Sequence, residues 1–233
     1  MDSTWDDIAE WWLSEGHADI AYQEDVLPLL DRLLPGTAGT VADLGCGEGQ
    51  ALRHVSATSD IRLIGCDLSE ALLRRAVESV PVVRARLPGM GWLGDATLAG
   101  AFSIYLLDLI SDEASFFTET ARVVELGGFL VVIMNHPAYT APGASPLLDI
   151  DGEVLWRWGS YFSRGSSTEP AGSGTIIFHH RPLSSLANAA AAAGWSLEWM
   201  EELPLSEVVT SEHPAYEGQG HIPRLLGMRW RRG

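Results

Sequence analysis

The sequence predicts an α/β fold, a mostly parallel sheet with helices on both faces. Three observations predict it. Short apolar runs of strand length alternate with helix-like stretches between residues 40 and 134. The turns joining them are short and rich in glycine. The longest apolar run, residues 127–134, is strand-sized, whereas a membrane-spanning helix needs roughly 18 apolar residues.

Taken in order, residues 5–34 read as helices. Trp5, Ile8 and Trp12 recur near helical spacing, as do Tyr22, Val26, Leu29, Leu30 and Leu33. Ser14-Glu15-Gly16-His17 separates the two, and Pro35-Gly36 stops the second. Residues 40–44 form a first strand ending in the turn Gly45-Cys46-Gly47-Glu48-Gly49, with a helix over 48–57. The second strand, 61–66, ends at Asp67, and Asp67-Leu68-Ser69-Glu70 opens the next helix with an N-cap pattern. A weak third strand at 81–85, a fourth at 101–107, a helix over 113–125 and a fifth strand at 129–134 complete the alternation. Residues 137–174 interrupt it with six glycines, four prolines and a polar run at 163–168. Because this stretch also carries Trp156, Trp158, Tyr161 and Phe162, it is expected to be a loop-rich lid over a pocket. Residues 175–180 resume as a strand, 183–193 form a helix stopped by Gly194, and 195–203 and 224–231 are strands. The expected organisation is one domain: helical cover 1–36, ligand-binding core 38–135, lid insertion 137–174 and the C-terminal part of the sheet, 175–233.

The charge balance narrows the partners. The 233 residues hold 31 Asp and Glu against 15 cations, a net charge of −16. Such a surface repels phosphate backbones and anionic lipid heads, so neither nucleic acid nor membrane is expected as a partner. All the cations are Arg, which excludes Schiff-base chemistry and lysine-held phosphate loops. The N-terminus, Met1-Asp2-Ser3-Thr4-Trp5-Asp6-Asp7, is acidic where a signal peptide is basic, so a cytoplasmic location is expected. Cys46 and Cys66 are too far apart for a Cys-x-x-Cys site and read as reduced, half-buried thiols; no metal is expected.

The most informative stretch is Val41-Ala42-Asp43-Leu44-Gly45-Cys46-Gly47-Glu48-Gly49. A glycine turn between strand and helix lets a ligand touch backbone at the carboxyl edge of the sheet. The spacing is Gly-x-Gly-x-Gly, not the Gly-x-Gly-x-x-Gly of dinucleotide folds. Asp43 disfavours a pyrophosphate and suits an amino group. Asp67 stands about where a ribose-binding carboxylate belongs, where two hydroxyls meet two carboxylate oxygens. A plain helix N-cap is the alternative for Asp67.

These residues resemble the class I S-adenosylmethionine-dependent methyltransferases of the bacterial small-molecule type. The likeness runs through Gly65-Cys66-Asp67-Leu68-Ser69 and Ala121-Arg122-Val123-Val124-Glu125-Leu126-Gly127-Gly128. It also touches Trp5-Asp6-Asp7-Ile8-Ala9-Glu10-Trp11-Trp12 and His180-Arg181-Pro182-Leu183. The resemblance implies a Rossmann-like seven-stranded sheet of order 3-2-1-4-5-7-6, its last strand antiparallel and supplied by residues 224–231. It implies S-adenosylmethionine as cofactor, held by Asp43, Gly45, Cys46, Gly47, Gly49, Asp67, Leu68, Arg84 and Ala85. Two departures are local. Val83-Arg84-Ala85-Arg86-Leu87-Pro88 stands where the family often has an acidic-Ala pair, so backbone around 84–87 is expected to replace that carboxylate. Phe102-Ser103 replaces a common Phe-Asp.

Methyl transfer requires alignment, exclusion of water and, for a phenol or indole, a base. His180 is the preferred base and His136 the second candidate, with Tyr22 orienting the reacting group from the helical cover. A packed or solvent-facing imidazole is the alternative for each. His179 points to the face opposite His180 by strand alternation, and His17, His54, His213 and His221 have weaker contexts. Trp12, Trp156 and Trp158 are expected as aromatic walls for a small organic acceptor, phenolic or indole-bearing, from bacterial specialised metabolism. Trp195, Trp199 and Trp230 read as packing residues, and Asp108 and Asp112 as caps of the next helix. Rival readings are a nicotinamide-dependent oxidoreductase, disfavoured by the glycine spacing, and a non-catalytic S-adenosylmethionine-binding protein. A homodimer is compatible with all three.

Overall fold

A computed structural model describes residues 5–15, 19–78 and 80–233, so His17 and part of the break before it lie outside the described residues. The N-terminal cover comprises α1 (Ala9–Glu15) and α2 (Leu27–Leu33), the latter entered through a π-helical turn, Tyr22–Val26. Helix α2 keeps Leu29, Leu30 and Leu33 fully buried, as their spacing predicts.

Strand and helix then alternate: β1 (Thr40–Leu44), α3 (Gln50–Thr58), β2 (Arg62–Asp67), α4 (Glu70–Ala76), β3 (Val82–Arg84) and β4 (Leu98–Ile104). Helix α5 (Glu113–Val123) leads into β5 (Val124–Asn135). Past an insertion come α7 (Leu183–Ala192), β10 (Trp195–Leu203), α8 (Glu207–Glu212) and β11 (Leu225–Arg232). The insertion itself holds α6 (Pro137–Thr140) and the strands β6 (Ser145–Leu148), β7 (Val154–Arg157), β8 (Gly165–Ala171) and β9 (Gly174–His180).

The main sheet has seven strands in the order β3-β2-β1-β4-β5-β11-β10. Strands β1, β2, β3, β4 and β5 pair in parallel, while β11 runs antiparallel to both β5 and β10. This is the Rossmann-like order that the resemblance implies, with β11 as the reversed strand. Strand β4 stops at Ile104 because Tyr105 takes a left-handed backbone, φ +55°, and the chain turns into a 3₁₀ helix, Leu107–Leu109.

The insertion is more regular than expected. Strands β6 and β7 form one hairpin and β8 and β9 another, each a separate two-stranded sheet. Residues 175–180, expected within the C-terminal part of the main sheet, instead pair with β8, Gly165 lying opposite His180. Six of the seven residues of β8 are exposed, so it shows no apolar alternation from which a strand is legible.

Apolar side chains fill both faces of the sheet. Leu130 and Val132 of β5 pack with Phe116, Phe117 and Leu186 on one side, and Val131 and Phe129 with Leu29, Leu52 and Leu73 on the other. Phe117 is fully buried and meets Phe116 and Trp230 edge-on, with centroids at 5.5 and 6.0 Å. Phe117→Ala is expected to cost about 3–5 kcal/mol in urea unfolding, whereas truncating the exposed Phe162 leaves the midpoint unchanged.

Candidate active site

The carboxyl ends of β1, β2 and β4 open into a cleft, the edge where α/β sheets bind ligands. Its floor is the glycine turn. The N–H groups of Gly45 and Cys46 both donate to the carbonyl of Cys66, at 2.8 and 2.9 Å, which ties the turn to β2. Gly45 has φ +81°, and a Cβ there would stand 2.9 Å from Leu106 Cδ1, so only glycine fits. Gly47 has φ +53°, and a Cβ there would meet nothing within 4 Å, leaving its backbone open to a ligand.

Asp67 holds this floor in place. Its Oδ2 accepts from Gly47 N–H at 2.9 Å and its Oδ1 from Ser69 N–H at 2.8 Å. The helix N-cap is Ser69, whose Oγ accepts from Leu72 N–H at 3.2 Å. Asp43 lies beside Asp67 with only 3% of its surface exposed and no ion pair among the described residues. Burial, then the neighbouring Asp67, holds the Asp43 carboxyl well above the usual carboxylate range. Burial also raises Asp67, against the opposing pull of the Ser69 and Gly47 N–H groups. A cleft with two buried carboxylates fits a ligand bearing a cation and paired hydroxyls.

Aromatic rings close the cleft. Trp5 and Trp12 come from the cover, Tyr22 from the π-helical turn and Tyr105 from the end of β4. Ala85, Arg86 and Leu87 line the opposite end. Burial first, and Asp43 second, push the Tyr22 phenol well above its ordinary value, so it stays protonated at neutral pH. Burial raises Tyr105 likewise.

A family model described as a methyltransferase domain matches residues 42–132, the stretch that carries this floor. An S-adenosylmethionine-dependent methyltransferase from Mesorhizobium loti superposes with a TM-score of 0.78 and 26% identity, over 92% of this chain and 99% of that one. The chain is a class I S-adenosylmethionine-dependent methyltransferase. N-demethylindolmycin N-methyltransferase of Streptomyces griseus is 25% identical, over 77% of this chain and 78% of the relative. Trans-aconitate 2-methyltransferase of Azoarcus sp. is also 25% identical, over 81% of this chain and 78% of its own length. S-adenosylmethionine is the methyltransferase's cofactor.

Of the residues the sequence singles out, Asp43, Gly45, Cys46, Gly47, Asp67, Leu68, Ala85 and Tyr22 line the methyltransferase cleft. Gly49 and Arg84 do not. Gly49, at φ +86°, starts α3 and backs onto Ala76. The exposed Arg84 pairs with Asp6 at 3.2 Å and Glu70 at 3.1 Å. Asp6 in turn accepts from Ser69 Oγ at 2.7 Å and from Ala71 N–H at 3.1 Å, which pins the cover beside the cleft.

The candidate histidines lie apart from the cleft. Among the described residues no histidine lines the cleft. His180 is 3% exposed and its ring is fully engaged. Its Nε2–H donates to the Tyr161 carbonyl at 2.8 Å, which leaves Nδ1 to accept from Thr140 Oγ1 at 3.3 Å. His136 Nδ1 accepts from Ala138 N–H at 3.0 Å and its Nε2–H donates to Glu202 at 2.6 Å. Both imidazoles hold the base of the insertion. The aromatic walls also differ: Trp156 stacks on Tyr139 at 4.9 Å, and Trp158 is 58% exposed, so of the three only Trp12 reaches the cleft. Both cysteines are free and buried, and burial pushes the Cys66 thiol up to about 12. No group of three or more His, Cys, Asp or Glu is placed to hold a metal among the described residues.

Asp112 caps α5 as expected, accepting from Ser115 N–H at 3.0 Å. Asp108 does not. It is 1% exposed, its Oδ2 accepts from the backbone and side-chain N–H groups of Asn135 at 3.2 Å, and its Oδ1 has no partner. Burial pushes this carboxyl up from 3.8 to about 6, against the Asn135 donors. Between those values the folded protein keeps a proton that the unfolded chain has released, so Asp108's contribution to stability falls as pH rises through that window. Urea unfolding from pH ~4 to ~7 is expected to show wild type losing on the order of 3 kcal/mol relative to Asp108→Asn. Parallel curves for the two proteins would remove the assignment.

Proposed function

We propose that this methyltransferase acts on a small, aromatic-bearing organic acceptor of bacterial specialised metabolism, at a nucleophile that needs no base. The observation that carries the reading is the cleft wall. It offers Trp5, Trp12, Tyr22 and Tyr105, while His179 lines an adjoining recess that meets the cleft at Trp5, Leu68, Arg86 and Leu109 and lies outside the cleft itself. An ionised carboxylate presents its lone pair without a protein base, as does an amine that has lost its proton to solvent and binds as the free base. A phenol or indole bound in its neutral form must lose a proton at the site. The Streptomyces griseus relative is named for N-methylation of N-demethylindolmycin, and the Azoarcus relative for methylation of trans-aconitate. Both names support a small-molecule acceptor.

In this reading Asp67 takes the two ribose hydroxyls and Asp43 the amino group of the cofactor. The turn at Gly45, Cys46 and Gly47, its N–H groups held by Cys66 and Asp67, follows the cofactor's amino-acid portion. Leu68, Ala85 and the backbone of Arg86 and Leu87 flank the adenine. When bound, S-adenosylmethionine supplies an electrophilic methyl carbon. The chain's own residues then align and shield. Trp5 and Trp12 exclude water and favour positive charge with their ring faces. Tyr22 and Tyr105, kept protonated by burial, donate hydrogen bonds that orient the acceptor.

The test is a radiolabelled methyl-transfer assay with tryptamine, tyramine, indole-3-acetate and indole. Methylation of an amine or carboxylate, with a kcat–pH profile free of an imidazole limb, is expected. Methylation of indole nitrogen or phenol alone would overturn the base-free reading. Asp67→Ala is expected to weaken S-adenosylhomocysteine binding in calorimetry by at least ~1.5 kcal/mol, the low end for hydrogen bonds to a charged group. Wild-type affinity in that variant would remove the ribose assignment.

A further inference from the structure

The motif His180-Arg181-Pro182-Leu183 has a role that the cleft does not absorb. Arg181 is 4% exposed. Its Nε donates to Glu113 Oε2 at 2.9 Å, Nη1 to the carbonyls of Leu107 at 3.0 Å and His179 at 3.3 Å, and Nη2 to the carbonyl of Ile110. One guanidinium therefore satisfies both ends of the segment 107–110, whose Leu109 and Ile110 form a wall of the cleft. A planar five-donor fork suits this task, and an ammonium does not.

Glu113 is shared. Its Oε1 accepts from Arg164, which directly precedes β8, while its Oε2 accepts from Arg181, which directly follows β9. Because Gly165 lies opposite His180, both arginines leave the same end of the hairpin and meet one carboxylate at the start of α5. The wall, the hairpin and the helix end are thus joined at a single charged node.

We propose that Arg181 is a positioning residue: it fixes the 107–110 wall against which the acceptor packs, and Glu113 and Arg164 dock the insertion onto that wall. The proposal rests on the acceptor occupying the cleft described above. It makes acceptor affinity depend on a lid residue, Arg164, that does not line the cleft.

Amide hydrogen exchange of the free protein and tryptamine kinetics test it together. Arg181→Lys is expected to speed exchange across 107–110 and to lower kcat/KM for tryptamine on the order of 10²-fold, the effect of a small misplacement, while calorimetry finds unchanged S-adenosylhomocysteine affinity. Arg164→Ala is expected to speed exchange in 160–171 only, and to raise KM about five- to tenfold with kcat near wild type. Arg164→Lys, which can still reach Glu113, is expected to restore KM, an effect that simple loss of stability does not produce. Wild-type exchange at 107–110 in Arg181→Lys, or wild-type exchange in 160–171 in Arg164→Ala, would overturn the proposal. If Arg181→Lys does not fold, the half-exposed Arg164 variants decide it alone. Failure of wild type to bind S-adenosylhomocysteine or to methylate tryptamine would count against the reading of the cleft, and the exchange measurements would still judge the clamp.

Discussion

The two oxygens of Asp67 hold the rest of the site together. One accepts from Gly47, the other from Ser69, so a single carboxylate joins the turn after β1 to the start of α4. The Cys66 carbonyl holds the start of the same turn through Gly45 and Cys46, and the Asp67 bridge fixes its Gly47 end. The bonds to Asp67 offset part of the cost of burying a negative group. Asp43 lacks such help, and burial beside Asp67 disfavours its charged form.

Around this floor α2 packs the cover onto the sheet, and directional contacts fix its first residues. Asp6 reaches Ser69, Ala71 and Arg84 on the far side of the cleft and so places Trp5 among the lining residues. The hydrogen bond from Ser69 comes first among the causes holding Asp6 below its ordinary value. The π-helical turn at Tyr22–Val26 serves the opposite wall. Widening the helix by one residue sets Tyr22 on the cleft while Asp25 turns inward to accept from Ser206 N–H at 3.2 Å.

The central sheet was legible because its strands are short, apolar and punctuated by glycine, and because the acidic ends of β1 and β2 carry chemistry. The glycine turn and the two acidic strand ends that line the cleft are legible in the same residues. The insertion was not legible, since the exposed β8 has no buried face to impose a period. The placement of the histidines is not legible for a related reason: a titratable side chain at a strand end reads alike whether it meets a ligand or a carbonyl, and here Tyr161 and Glu202 take ring nitrogens. Tyr105 carries no signal in the sequence because its left-handed backbone leaves no mark in composition. Arg181 was visible only as part of a motif; its four acceptors come from residues 2 to 74 positions away and only assemble on folding.

Neither hairpin of the insertion shares a ladder with the seven-stranded sheet. A strand inside that sheet that gains or loses a residue turns its own side chains from core to solvent unless a bulge absorbs the change, as between Leu98 and Gly100. A hairpin hung from side-chain anchors escapes that penalty. Its turns can lengthen, shorten or change composition while the transfer machinery beneath stays intact. The hairpins and the sheet that carries the cleft therefore sit on parts of the chain that can diverge at different speeds, the one redrawn freely and the other a fixed page.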